Sequence, residues 1–322
     1  MSIKSPEFSG LPSHMFQSVR EARQSYKLSE RGDMFASELD KQLAENRIAS
    51  IQMPIGETDF AQLIDAYKVC IAEAPEFLAQ TSHRVDARFG SDAGYERKER
   101  KLRPDGTQIQ DPKHLMHFNG YARKRWNDEF INSPRIFRDF LSVGHEIHDA
   151  LANIVKNSLV DLEETHPNIG NVYFPGRSDT PNLLPNDTYM RLIEYDAYES
   201  DDSLGEVAKP HYDISGFSLQ AYADSPGFWG AKDGPSGNRE YHNTALNEAY
   251  LFMGYSHKKL YGKNTRLQPL WHGVDRLILP SGSIVPTRHA VILFVNPPLI
   301  DVRVRPKDTL PYMAGIDGVA TY

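Results

Sequence analysis

His211-Tyr212-Asp213 sets an imidazole and a carboxylate two residues apart, Trp271-His272-Gly273-Val274 supplies a second imidazole far along the chain, and Arg288 follows it. Two neutral imidazoles and one carboxylate on one face of a metal are the donor set that suits non-haem Fe(II), with positions left open for oxygen chemistry. In a strand, residues i and i+2 point to the same side, so His211 and Asp213 can grip one ion. The third ligand can come from any strand laid alongside. His289, with Arg303 after it, is the rival to His272. The pattern favours His272, because His289 abuts the apolar run Ala290 to Val295.

The elements that must position these groups are short strands. Beyond Pro167 the chain is broken by Pro175, Pro181 and Pro185, and then runs through Thr188 to Tyr195, Gly216 to Ala223, Ala249 to Tyr255, Leu277 to Leu279 and Ala290 to Val295. Turn-rich segments such as Asp224 to Asn247 separate them, the pattern of a β-sandwich or barrel. The first half reads mostly helical. Phe60, Leu63, Ile64, Tyr67 and Ile71 recur at helical spacing behind a candidate N-cap at Thr58, with Pro75 interrupting. Phe140, Val143, Ile147, Leu151 and Ile154 form one face of a second helix, Ile136 to Val155, begun by Asn132-Ser133-Pro134. Polar Gly90 to Lys113 reads as loop or hairpin. The helical part carries too few apolar positions to stand alone. The expectation is therefore one integrated domain over 1–322: a mainly helical part (1–160), a β-core with the metal site (185–300) and a tail (301–322).

Composition narrows the class. The 322 residues are 40% hydrophobic and 25% charged, enough for a substantial core. A net charge of −7 argues against nucleic acid or an anionic membrane as partner. Cys70 alone cannot form an internal disulfide, and with no signal-like or membrane-length apolar run the cytoplasm is the expected compartment.

In the order Met190-Arg191-Leu192-Ile193-Glu194-Tyr195, Pro210-His211-Tyr212-Asp213 through Phe217-Ser218-Leu219-Gln220 to Ser225-Pro226-Gly227-Phe228, Ala249 to Gly254 leading to Leu270 to Val274, and Arg288 to Pro297, the chain resembles the isopenicillin N synthase-like branch of the Fe(II)/2-oxoglutarate-dependent dioxygenases. The resemblance covers roughly residues 188 to 298. It implies a mixed α+β fold: a double-stranded β-helix (jelly roll) with the N-terminal helices packed on it. It makes His211, Asp213 and His272 ligands of Fe(II). Arg288 would hold the C5 carboxylate of the cosubstrate 2-oxoglutarate, where a planar fork of donors suits a carboxylate, and Tyr195 would face it. The implied reaction consumes O2, yields succinate and CO2, and hydroxylates, desaturates or cyclises a small molecule. A carboxylate at Asp213 fills the place that related halogenases leave to chloride.

Two departures from the family stand out. The hydroxyl residue expected two places after the arginine is Ala290, so the carboxylate needs another donor, and the residue after the distal His is Gly273 rather than Arg. The rival readings are an isopenicillin N synthase-type oxidase that uses no 2-oxoglutarate, and a non-catalytic β-barrel binding module.

Substrate is expected against Arg191, Phe217, His117, Asn119, Tyr121 and Arg123. The segment Gly90 to Trp126 would order on binding, and the tail after Pro311 would serve as a lid. Arg123-Lys124-Arg125 is most simply a solvated run, with capture of a substrate carboxylate as its alternative. His145-Glu146-Ile147-His148 has its histidines three apart where a zinc-protease helix needs four, so it reads as a solvated helix face. Cys70 reads as a buried small hydrophobe.

Overall fold

The computed structural model describes residues 33–82, 93–99, 101–102, 108–110, 112–167, 169–173, 188–200, 206–243, 247–262 and 264–296. The helices are α1 (Asp33–Asn46), α2 (Glu57–Glu73), α3 (Pro75–Gln80), α4 (Gly120–Glu129), α5 (Arg135–Leu162), α6 (Ile169–Tyr173) and α7 (Tyr255–Tyr261). The strands are β1 (Ile48–Gln52), β2 (Gly94–Lys98), β3 (Lys101–Leu102), β4 (Gln108–Gln110), β5 (Lys113–Asn119), β6 (Thr188–Tyr195), β7 (Tyr198–Glu199), β8 (Glu206–His211), β9 (Phe217–Ala223), β10 (Phe228–Ala231), β11 (Glu240–Tyr241), β12 (Glu248–Met253), β13 (Trp271–Asp275), β14 (Ile284–Val285) and β15 (Arg288–Val295).

Two antiparallel sheets carry the architecture. The larger runs β1-β12-β9-β15-β6-β5-β2, and the smaller runs β11-β10-β13-β8. One face of the larger sheet receives α1, α2 and α5 through a continuous apolar cluster that includes Leu43, Phe60, Tyr67, Phe140, Leu151, Leu192 and Leu293. Between the two sheets lies a second cluster, with Ile193, Tyr195 and Phe252 from the larger sheet and Val207, Phe228 and Val274 from the smaller. Because side chains alternate along a strand, β1, β5, β6, β12 and β15 of the larger sheet feed both clusters.

The helices follow the sequence pattern with shifted ends. The first amphipathic helix starts at Gly56, not Thr58, because the Asp59 carboxylate reaches back to the Gly56 N–H at 2.9 Å. Pro75 opens α3 at its first position, where its missing N–H costs nothing. The second helix runs on to Leu162, with Ser158, Leu159 and Leu162 buried. Cys70 is buried, and burial pushes its thiol up to about 12.

The histidines of α5 overturn the solvated-face reading. His145 packs against Phe118 and Trp126, and His148 meets the Thr188 hydroxyl at 3.1 Å. A helix lying between a sheet and other helices is buried on more than one stripe.

The mainly helical reading of the first half is also incomplete, since β1, β2 and β5 belong to the larger sheet. These runs are short, and their alternation is too brief to register as a period. The segment 94–119 forms the hairpin β2–β5 and joins β6, placing Lys113 opposite Tyr195 and His117 opposite Arg191. Its strands 94–98 and 113–119 pair with one another and, through 113–119, with β6. Leu277 to Leu279 is no strand; it is tied instead by Ser200, whose hydroxyl donates to Leu279 O at 2.7 Å and accepts from its N–H at 2.9 Å. The turn-rich stretch Asp224 to Asn247 contains β10, the neighbour of the strand that carries His272. The tail 301–322 lies outside the described residues. Among the described residues, no helix is long and apolar enough to cross a membrane.

Candidate metal centre

β8 and β13 pair so that His211 and His272 are direct cross-strand neighbours, with ring centroids 4.5 Å apart. The chain then leaves β8, and Asp213 turns back beneath both rings. Its Oδ1 lies 3.3 Å from His211 Nε2 and 3.7 Å from His272 Nε2. One donor atom from each of the three residues falls within 4.8 Å of the other two, the spacing a single cation requires.

Hydrogen bonds behind the donors fix their orientation. His211 Nδ1 donates to Lys209 O at 2.7 Å and His272 Nδ1 to Leu270 O at 3.1 Å, which leaves both Nε2 lone pairs facing Asp213. The Ser218 hydroxyl donates to Asp213 Oδ2 at 2.6 Å and is in turn 2.8 Å from Ser215 Oγ. Oδ1 is thereby left for the metal. Burial pushes His272 down to about 4 against the pull of Asp213, so the ring is neutral and ready to ligate. Burial alone would raise the Asp213 carboxyl, but His272, His211 and Ser218 together hold it well below the ordinary carboxylate range. The charge states are those of a metal-binding site.

Ser218 was not singled out from the sequence. A hydroxyl inside the apolar strand Phe217–Ala223 was the available signal. Substituting Ser218→Ala should weaken Fe(II) affinity by roughly 10- to 100-fold, the usual cost of losing a group that orients a ligand. Calorimetric titration of the metal-free protein measures this, and an unchanged affinity would remove Ser218 from the site.

His289, the rival ligand, faces the other way. It lies on the helix side of β15, where Asp224 Oδ2 takes its Nδ1 at 2.7 Å and Glu194 Oε2 stands 3.4 Å from its Nε2. Gly273 also has a physical reason: a Cβ there would lie 2.7 Å from Trp229, its cross-strand partner on β10.

Arg288 opens β15 on the metal side of the larger sheet, opposite Tyr195, whose ring centroid is 5.7 Å from its Cζ. It is buried, and its Nε has no acceptor among the described residues. Burial pulls its pKa below the usual arginine value, though Tyr195, Asp224 and Tyr198 oppose the shift. An enclosed guanidinium with an unused donor fits an incoming carboxylate. Lys113 lies across Tyr195 on β5 with its Nζ 5.3 Å from the same ring. It is the second cation at this place.

The expected substrate residues divide. Arg191 and His117 share the metal-side face, joined by Arg191 Nε donating to His117 Nε2 at 2.8 Å. Asn119 is buried there, but its Oδ1 caps α4 by accepting from the Ala122 N–H at 2.9 Å. Two placements are corrected. Phe217 points to the helix side, against Tyr173 and His257, because it is one residue out of phase with Ser218. Arg123 is engaged with Asp149 of α5 at 2.7 Å, away from the metal. The Tyr121 side chain lies outside the described residues.

The Arg123–Asp149 pair has its own consequence. Burial would raise the Asp149 carboxyl, but His148 and Arg123 hold it at about 2. A depressed carboxylate stabilises the fold above its unfolded value of about 3.8, and that contribution is lost as pH falls toward 2. Asp149→Asn should therefore cost about 2 kcal/mol near neutral pH and flatten the acid limb of urea stability between about pH 4 and 2. An unaltered limb would mean that the pair contributes nothing.

No protein-family profile matches the sequence, and no curated protein sequence matches it. Solved structures do share the fold. A full-length protein from Neurospora crassa, solved in complex with alpha-KG, superposes with a TM-score of 0.63 at 13% identity, over 88% of this chain and 84% of its own. Dioxygenase for auxin oxidation 1 from Arabidopsis thaliana, in complex with 2-oxoglutarate, gives 0.59 at 12% identity, over 84% and 91%. The dioxygenase for auxin oxidation of rice gives 0.56 at 13%, over 87% and 82%. The fold is that of the Fe(II)/2-oxoglutarate oxygenases, and the His-Asp-His group stands on it among the described residues.

Proposed function

We propose that this protein is a non-haem Fe(II)- and 2-oxoglutarate-dependent dioxygenase acting on a small molecule, with hydroxylation as the primary outcome. In this reading the chain is one integrated domain, and its two sheets are the double-stranded β-helix of the isopenicillin N synthase-like branch. The observation that carries the reading is the buried Arg288, whose Nε has no acceptor among the described residues, on the side of the larger sheet turned toward the smaller sheet that carries His211 and His272. A mere binding barrel has no need of a complete donor set, and Arg288 weighs against an oxidase that uses no 2-oxoglutarate, from which O2-dependent succinate formation separates this reading.

Fe(II) with bound 2-oxoglutarate would supply the oxidation, in which O2 is consumed and succinate and CO2 are released. The chain's own residues do the rest. His211, Asp213 and His272 would occupy one face of the ion and leave the other open. Arg288, with Lys113 across the Tyr195 ring, would neutralise the distal carboxylate of 2-oxoglutarate and so set the position of its other end. Phe252 packs on the His272 ring, centroids 4.9 Å apart, and Phe228 flanks it at 5.8 Å, so the apolar cluster keeps water from the buried side of the site.

The test is Fe(II)- and O2-dependent succinate formation from 2-oxoglutarate across a library of small molecules. Succinate released in step with a modified product supports the reading; no succinate with any compound, from protein shown to bind Fe(II), overturns it. Lys113→Met should raise the KM for 2-oxoglutarate by roughly tenfold or more, the value of one charge-assisted hydrogen bond. An unchanged KM would leave Arg288 without that partner.

A further inference from the structure

Arg191 is a third cation on the metal side of the sheet, after Arg288 and Lys113. It lies opposite Ile292 on β15, four residues along from Arg288. Its Cζ is 5.0 Å from the Phe294 ring centroid and 5.9 Å from that of Tyr189, and those two rings stack at 4.8 Å. Phe294 stands directly opposite Ser218, the residue that holds Asp213. Arg191 is therefore set between the cosubstrate arginine and the level of the metal. No carboxylate forms an ion pair with it among the described residues. Its Nε is given to His117 Nε2; an arginine can only donate, so that nitrogen is the unprotonated one and His117 is a neutral orienting group, not a counter-ion.

A guanidinium set beside two aromatic rings, with its Nε given to one imidazole, keeps its outer N–H edge for a planar anion. We propose that Arg191 is the recognition group for the primary substrate and that this substrate is an organic carboxylate with a flat, apolar body that packs on Phe294 and Tyr189. The proposal rests on the oxygenase reading for what happens next, but not for the binding itself. Catalysis then needs two anions side by side, 2-oxoglutarate at Arg288 and the substrate at Arg191, each neutralised by its own arginine. The target carbon is set by the length of the substrate between its carboxylate and the metal.

Matched pairs of aryl carboxylates and their carboxamides, such as phenylacetate with phenylacetamide and indole-3-acetate with indole-3-acetamide, test this by calorimetry and ligand-observed NMR. Metal-free protein and protein loaded with Fe(II) and 2-oxoglutarate under anaerobic conditions are both used. The acids should bind and the amides should be weaker by roughly 10- to 100-fold, the range for hydrogen bonds to a charged group. Arg191→Gln should abolish the preference, Arg191→Lys should restore part of it, and 2-oxoglutarate affinity should stay unchanged in both. Equal binding of acids and amides, no binding of any acid, or a preference that survives Arg191→Gln overturns the proposal. A loss of 2-oxoglutarate affinity in Arg191→Gln also overturns it, by assigning Arg191 to the cosubstrate. Acids that bind through Arg191, with no succinate released by any compound of the library, would sink the oxygenase reading and leave this one standing. Succinate formation driven equally by acids and amides would do the reverse.

Discussion

In His272→Gln protein, Fe(II)-dependent succinate formation is expected at background, with Fe(II) affinity lower by at least roughly two orders of magnitude, since a ligand should count for no less than the outer groups that orient one. The centre has three protein donors, and Asp213 is shared between the two imidazoles at 3.3 and 3.7 Å. Losing one leaves a carboxylate and a single ring, too few to outcompete water for the ion. Gln is chosen over Ala because His272 packs against Phe252 and Phe228, and a void there would confuse loss of metal with loss of fold. Far-ultraviolet circular dichroism and urea stability should remain close to those of the unsubstituted protein. His289→Ala is the control: its ring is committed to Asp224 and Glu194 on the helix side, so that variant should keep its metal. Retention of Fe(II) by His272→Gln together with its loss from His289→Ala would reverse the assignment.

Arg288→Leu should separate stability from cosubstrate binding. Opening one side of a buried carboxylate–guanidinium pair typically costs about 3–5 kcal/mol, so 2-oxoglutarate affinity should fall by roughly two to three and a half orders of magnitude. Arg288→Lys should recover only part, because an ammonium cannot form the planar fork. Without cosubstrate the prediction changes sign. Arg288 is buried with an unused Nε and a depressed pKa, so it is held at a cost that an apolar replacement removes. The ligand-free variant should therefore be no less stable than the original. Thermal unfolding with and without 2-oxoglutarate reads both effects, since a ligand raises the midpoint only through its affinity for the folded state. A 2-oxoglutarate-dependent rise preserved in Arg288→Leu would move the carboxylate site elsewhere.

Much of the centre was legible in the sequence. His211 and Asp213 pair in the sequence reading through the two-residue repeat of extended chain, but β8 ends at His211 and it is the turn after it that brings the Asp213 carboxylate back to the ring. Arg288 and Tyr195 were singled out in advance, and β15 and β6 place them opposite one another. The strands Thr188–Tyr195 and Phe217–Ala223 were readable because apolar runs bounded by turn residues identify themselves locally. What the sequence left open depends on register and on which elements become neighbours. The choice of His272 over His289 is a matter of which face of which strand each occupies: β13 places one beside His211, and the alternation of β15 sends the other to Asp224. Phe217 was misplaced by one residue, and one residue in a strand is the difference between two faces. Lys113 could not be recognised because its place beside Tyr195 comes from the pairing of β5 with β6, strands far apart in the sequence. The same holds for the histidines of α5, which a polar motif suggests are solvated and the packing of that helix buries. Local chemistry thus identified the types of the candidate donors; pairing between distant strands, set by burial of their apolar faces, and the turn after β8 decided how His211, Asp213 and His272 come together, which cations surround Tyr195 and the side of the sheet on which each candidate stands.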